Sequence, residues 1–90
     1  MRQDIKTKAI RRLKIIEGQI RGVQKMIDDE KYCIEIIIQA SAIKEAISGI
    51  EDLILENHLT THVIDQIKQG KEGQAVQEIL KVYKLTQKKK

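Results

Sequence analysis

From Ile34 to Ile67 apolar side chains recur at helical spacing, with no proline in the chain and Gly70 as the natural stop. Ile34, Ile37, Ile38, Ala42, Ile43, Ala46, Ile47, Ile50, Leu53 and Ile54 lead into Leu59, Val63, Ile64 and Ile67. Isoleucine alone suits a strand, but the stretch is far longer than any ordinary strand and keeps the helical period. A helix of nearly 40 residues is roughly 55 to 60 Å long at 1.5 Å per residue. The remainder of a 90-residue chain is too short to cover it. Its apolar positions also occupy more than one face, so the expectation is a helical oligomer whose core is shared between protomers.

The flanking segments fit the same class. Leu13, Ile16, Ile20, Val23 and Ile27 step by three and four, which predicts a first helix from about Asp4 to Met26 or Ile27. Asp28 or Asp29 is the expected cap of the central helix. Ala75, Val76, Ile79, Leu80 and Tyr83 predict a third, shorter helix, and Lys88, Lys89 and Lys90 a frayed basic tail. The fold expected is all-α, a three-helix protomer with one long central helix, in a single domain over residues 1–90. Two tyrosines are the only aromatics, too few for a β-sandwich. A content of 41% hydrophobic and 33% charged residues excludes both a disordered tail and a membrane span. One cysteine excludes an intramolecular disulfide, and no apolar leader follows Met1, which points to the cytoplasm.

Charge is sorted along the chain. Up to Lys25 there are eight basic and two acidic residues, a balance of +6; Met26 to His62 carries −6 and the remainder +4. At about 100° per residue, Lys8, Arg11, Lys14, Arg21 and Lys25 fall in the sector opposite the apolar stripe of the first helix. A basic face of this kind suits a polyanion, or is simply a solvated helix face. Gly18 and Gly22 share that sector at a cost of roughly 1 kcal/mol each, as close backbone approach would require.

Cys33, His58 and His62 are the good soft or borderline metal ligands of the chain. Taken singly, each has an ordinary structural explanation. Together they stand out, because both histidines of the chain sit four residues apart, on one face of a helix and one turn apart. Cys33 falls in the first turn of the central helix, where free N–H groups and the dipole favour an anion. It lies 25 residues before His58, roughly 37 Å along a continuous helix. One chain cannot close that site, whereas two antiparallel copies of the helix can. They would cross near residue 46, where Ala42, Ala46 and Gly49 permit close contact, and two-fold symmetry would give two sites per dimer. No nucleophile with a neighbouring base and no phosphate loop suggests an enzyme.

The run Arg12-Leu13-Lys14-Ile15-Ile16-Glu17-Gly18-Gln19-Ile20-Arg21-Gly22, then Tyr32-Cys33-Ile34, Ser41-Ala42-Ile43-Lys44 and His58-Leu59-Thr60-Thr61-His62, resembles the copper-sensitive operon repressor family, CsoR/RcnR. The resemblance implies an all-α protomer, antiparallel dimers assembling into a flat homotetramer, and repression of metal-efflux or detoxification genes until an inducer binds. It also implies that Tyr32 and Glu78 link a bound ion to the rest of the fold, and it favours Arg12, Arg21 and Lys44 in DNA binding. The commonest copper set in the family is Cys, His, Cys; here the second thiolate is replaced by His62. The nickel/cobalt branch adds a histidine near the amino terminus, which Arg2, Gln3 and Asp4 do not supply. The formaldehyde-sensing branch has proline where this chain has Arg2, and the persulfide-sensing branch has two cysteines.

One thiolate and two imidazoles suit three-coordinate Cu(I); Ni(II) and Co(II) want further ligands, and Zn(II) needs a fourth from water or a carboxylate. Cu(I) is the favoured inducer, with the other three open. The expected partner is double-stranded operator DNA, its phosphates neutralised by Arg11, Arg12, Lys14, Arg21 and Lys44. No membrane partner is expected. Two other classes stay open: a helical oligomeric interaction module without a sensing role, and a metal storage or chaperone protein.

Overall fold

The computed structural model describes residues 1–87; Lys88, Lys89 and Lys90, read above as a basic tail, lie outside the described residues. Four helical segments follow in order: α1 (Gln3–Asp28), α2 (Cys33–Thr60), α3 (His62–Lys68) and α4 (Glu72–Gln87). The fold is all-α, with no strand among the described residues. The expected order of three helices is recovered with α2 and α3 as the two parts of a broken central helix.

That break corrects the length expected from the apolar period. α2 has 28 residues, about 42 Å at the usual rise, and α3 only 7. Between them Thr61 leaves helical geometry at φ −125° and ψ −78°. Its hydroxyl donates to the Asn57 carbonyl at 2.6 Å, and the Thr60 hydroxyl donates to the same oxygen at 3.3 Å. A hydroxyl bonded to the carbonyl one turn back bends helices.

The chain divides into two compact units, Met1–Glu56 and Asn57–Lys90. In the first, Ile5 and Ala9 of α1 are buried in one cluster with Leu53 of α2. Arg2 adds a link at the same end: its guanidinium forms a two-pronged pair with Asp4, the shorter contact 2.7 Å, and reaches Glu56 at 3.4 Å. These contacts pair the start of α1 with the far end of α2, so the two helices run antiparallel. The turn joining them is not capped by an aspartate, as expected above. Asp28 ends α1 and Asp29 is its C-cap, while α2 begins at Cys33 with the Tyr32 carbonyl accepting the Ile36 N–H. Glu30 takes the left-handed conformation, φ 52°, and the Lys31 N–H returns to the Met26 carbonyl at 2.9 Å. The Glu30 N–H bonds Ile27, completing a Schellman closure.

In the second unit α3 packs against α4. The corner between them repeats that closure with the residue type it prefers: Gly70 stands at φ 74°, and the Lys71 N–H bonds the Gln66 carbonyl at 2.7 Å. Ala75 is the buried residue of α4.

Much apolar surface is left open on the chain by itself. Of the α1 stripe, Ile16 is buried, but Leu13, Ile20 and Ile27 are exposed. On α2, Ile34, Ile37 and Ile38 are each more than half exposed, and Ile37 lies roughly 160° around the helix from the buried Leu53. Among the described residues no helix is long and apolar enough to cross a membrane. Ile5, 2% exposed, is the largest fully buried side chain. Ile5→Ala should therefore destabilise the protein by about 2–4 kcal/mol through reduced burial and a residual cavity, measured by urea unfolding against the wild type.

Candidate metal centre and basic surface

His58 occupies the last turn of α2 and His62 opens α3, so the two imidazoles stand on either side of the break at Thr61. They remain together, with ring centroids 5.4 Å apart and planes inclined by 30°. An ion about 2.0–2.1 Å from a ring nitrogen sits about 3.2 Å from that ring's centroid. Two imidazoles sharing one ion at trigonal or tetrahedral angles then have centroids about 5 to 5.5 Å apart. The observed spacing fits a single shared ion.

Glu78 of α4 approaches this pair. Its Oε1 lies 3.7 Å from His58 Nε2, an ion pair when the imidazole is protonated. The same oxygen accepts a hydrogen bond from Gln66 Nε2 at 3.1 Å, and Oε2 accepts one from Gln74 Nε2 at 3.4 Å. Those two amides, more than His58, hold the Glu78 carboxyl below the ordinary glutamate range. A neutral His58 that turns Nε2–H toward Glu78 presents its lone pair at Nδ1, free for a metal. Gln66 was not singled out from the sequence. The available sign was its place at the next four-residue step after His58 and His62, which continues their face.

Cys33 is the first residue of α2, exposed, with the exposed Tyr32 just before it. α2 is unbroken from Cys33 to Thr60, so its sulfur and its terminal histidine are separated by nearly the whole helix. Among the described residues, no three His, Cys, Asp or Glu side chains of one chain form a group able to hold a metal ion. The structure thus brings His58, His62 and Glu78 together and leaves Cys33 with Tyr32 at the start of α2.

The basic residues named from the sequence are all exposed: Arg11, Arg12, Lys14 and Arg21 on α1, and Lys44 on α2. Arg11 and Lys14 line an open concavity of about 340 Å³ together with Gln3, Lys6, Thr7 and Ile10. Lys6 is the third cation there, and its place one turn before Ile10 and Arg11 was the sign of it in the sequence. Arg12, Arg21 and Lys44 do not line the concavity. An added Cβ at Gly18 would touch only the Arg21 guanidinium, at 3.7 Å, and one at Gly22 nothing within 4 Å, so neither glycine is required by packing inside one chain.

The two amides on Glu78 make a prediction about pH. Because the folded carboxyl titrates below its unfolded value, the stability it contributes is fully present above the ordinary 4.5 and disappears as pH falls through the folded midpoint. Replacing both donors, Gln66→Leu with Gln74→Leu, should raise the Glu78 midpoint toward the ordinary value, followed by carboxyl ¹³C NMR.

Comparison with known proteins identifies the family. Residues 5–84 match the family described as metal-sensitive transcriptional repressor. The chain is 44% identical over 73 residues to the copper-sensing transcriptional repressor CsoR of Bacillus subtilis (strain 168), covering 81% of this chain and 72% of that protein. It is 36% identical over 63 residues to the copper-sensing transcriptional repressor RicR of Mycobacterium tuberculosis (strain ATCC 25618 / H37Rv), covering 70% and 66%. The crystal structure of the copper-sensing repressor CsoR with Cu(I) from Geobacillus thermodenitrificans NG80-2 superposes with a TM-score of 0.88 at 39% identity, over 98% of this chain and 92% of that one. With a helical fold shared over nearly its whole length and a family match from Ile5 to Lys84, the chain belongs to the metal-sensitive transcriptional repressors, a family of regulators and not of enzymes.

Proposed function

We propose that this protein is a cytoplasmic copper-responsive repressor, with residues 1–90 acting as one metal-sensing, DNA-binding domain. It binds double-stranded operator DNA as a homotetramer of antiparallel dimers and leaves the operator when Cu(I) binds between subunits. The observation that carries this reading is the histidine pair, spaced at 5.4 Å for one ion and flanked by Glu78. Cys33 of one chain supplies the third donor to His58 and His62 of a second, since α2 holds its two ends about 40 Å apart. The apolar surface exposed around Ile34, Ile37 and Ile38 supports a helix that packs on another copy. The copper-sensing relatives and the related structure with Cu(I) support the choice of ion.

When bound, Cu(I) supplies a soft centre that one sulfur and two imidazole nitrogens can share. The residues of the chain do the rest. Glu78, 3.7 Å from Nε2, is placed to accept from His58 once the ion is held, and Tyr32, the residue before Cys33, is the second group coupling the site to the fold. Arg11, Arg12, Lys14, Arg21 and Lys44, joined by Lys6, neutralise phosphates. Release requires that the ion favour an arrangement of subunits in which those cations no longer match the duplex. Pinning His58 and His62 fixes the break at Thr61, and Glu78 carries the change into α4.

The test is anaerobic titration of Cu(I), Zn(II), Ni(II) and Co(II) into the protein on a candidate operator, followed by fluorescence anisotropy. Cu(I) should release the wild type and fail to release Cys33→Ala or His58→Ala. Equal response of the variants and the wild type removes the sensor assignment. Without metal, operator affinity should fall steeply with salt, and Lys14→Ala should lower the slope of log K against log salt by about one for each phosphate that Lys14 neutralises.

A further inference from the structure

Gln66 is split between a good hydrogen bond and a missing one. Its Nε2 donates to Glu78 Oε1 at 3.1 Å, while its own Oε1 is buried without a hydrogen-bond partner. A buried amide oxygen left unpaired is unfavourable, so the side chain stays in place through the bond its other half makes to a carboxylate. That bond occupies the oxygen facing His58. At 3.7 Å, His58 Nε2 lies beyond ordinary hydrogen-bond range of it, whereas Gln66 Nε2 is well inside. Gln74 secures the other oxygen at 3.4 Å from one turn back on α4. The carboxylate is therefore held by amides and only approached by the imidazole.

We propose that Gln66 is a positioning residue for the metal response, a latch on α3 that holds Glu78 of α4 away from His58 until a cation ligates the imidazole. This rests on the assignment of His58 as a ligand. An imidazole bound to a cation through one nitrogen becomes a stronger donor at the other. Its Nε2–H then competes with the Gln66 amide for Oε1, and Glu78 moves from one donor to the other. Gln66 sets how much of the ion's affinity is spent on that exchange. It thereby tunes sensitivity to the inducer without touching the ion.

Two substitutions with high helix propensity separate this from a packing role. Gln66→Leu deletes the competing donor, and Gln66→Lys replaces it with a charged one. In the ion-free protein, ¹⁵N NMR of the imidazoles should show the His58 Nε2–H hydrogen-bonded in Gln66→Leu and not in Gln66→Lys. Cu(I) affinity, measured by competition with a chelator, should rise by about threefold to tenfold in Gln66→Leu, the size of one net hydrogen bond, and fall in Gln66→Lys. Affinities that shift in the same direction in both variants, or a His58 signal alike in both, overturn the latch. Should wild-type Cu(I) binding prove independent of His58, the sensor assignment fails, and the ion-free His58 signal alone still decides whether Gln66 keeps Glu78 from it.

Discussion

Everything in this molecule is arranged around a helix too apolar and too long for its own chain. α1 covers one side of α2 through Ile5, Ala9 and Leu53, and isoleucines on the remaining sides stay open. Burial of apolar area is the main favourable term in folding and association, and open apolar patches of this kind are characteristic of surfaces that pack on another molecule. The same length separates a sulfur at the start of the helix from the imidazoles at its end. One dimension thus sets both how much apolar surface the chain leaves open and how far along the helix Cys33 stands from His58.

Most of this architecture was legible from residue spacing, and the misses have identifiable causes. Apolar residues at steps of three and four marked α1 and α4 to within a few residues, because helical burial repeats with the helical turn. The same period runs unchanged from Leu59 to Val63, Ile64 and Ile67, so it passed over the break at Thr61. What makes the break is a hydrogen bond from a hydroxyl to the Asn57 carbonyl, and adjacent Thr60 and Thr61 were its only trace. Asp28 and Asp29 looked like the start of a helix. They close the previous one, since the backbone satisfies that corner by a Schellman turn at Glu30 in place of a side-chain cap.

At the site the sequence marked the histidine pair well and the residues around Glu78 poorly. His58 and His62 are legible because four residues is one turn, and the pair stays together even across a broken helix. Gln66 and Gln74 are ordinary polar residues by composition. Their importance appears only once α4 brings Glu78 against α3, a tertiary fact with no local signature. The basic face shows the same division: charge segregation located it on α1, while the inclusion of Lys6 in the concavity and the exclusion of Arg12, Arg21 and Lys44 needed coordinates.

Glu30 has a consequence for how the two ends of the first unit communicate. Glycine at a left-handed corner, as at Gly70, leaves the backbone several comfortable alternatives; a residue with a Cβ leaves far fewer. The joint between the basic helix and the turn that bears Tyr32 and Cys33 is therefore stiff, with little slack to absorb a tilt. Glu30 thereby ties the direction of α1 to that of the turn before Cys33, where a glycine would leave the two looser.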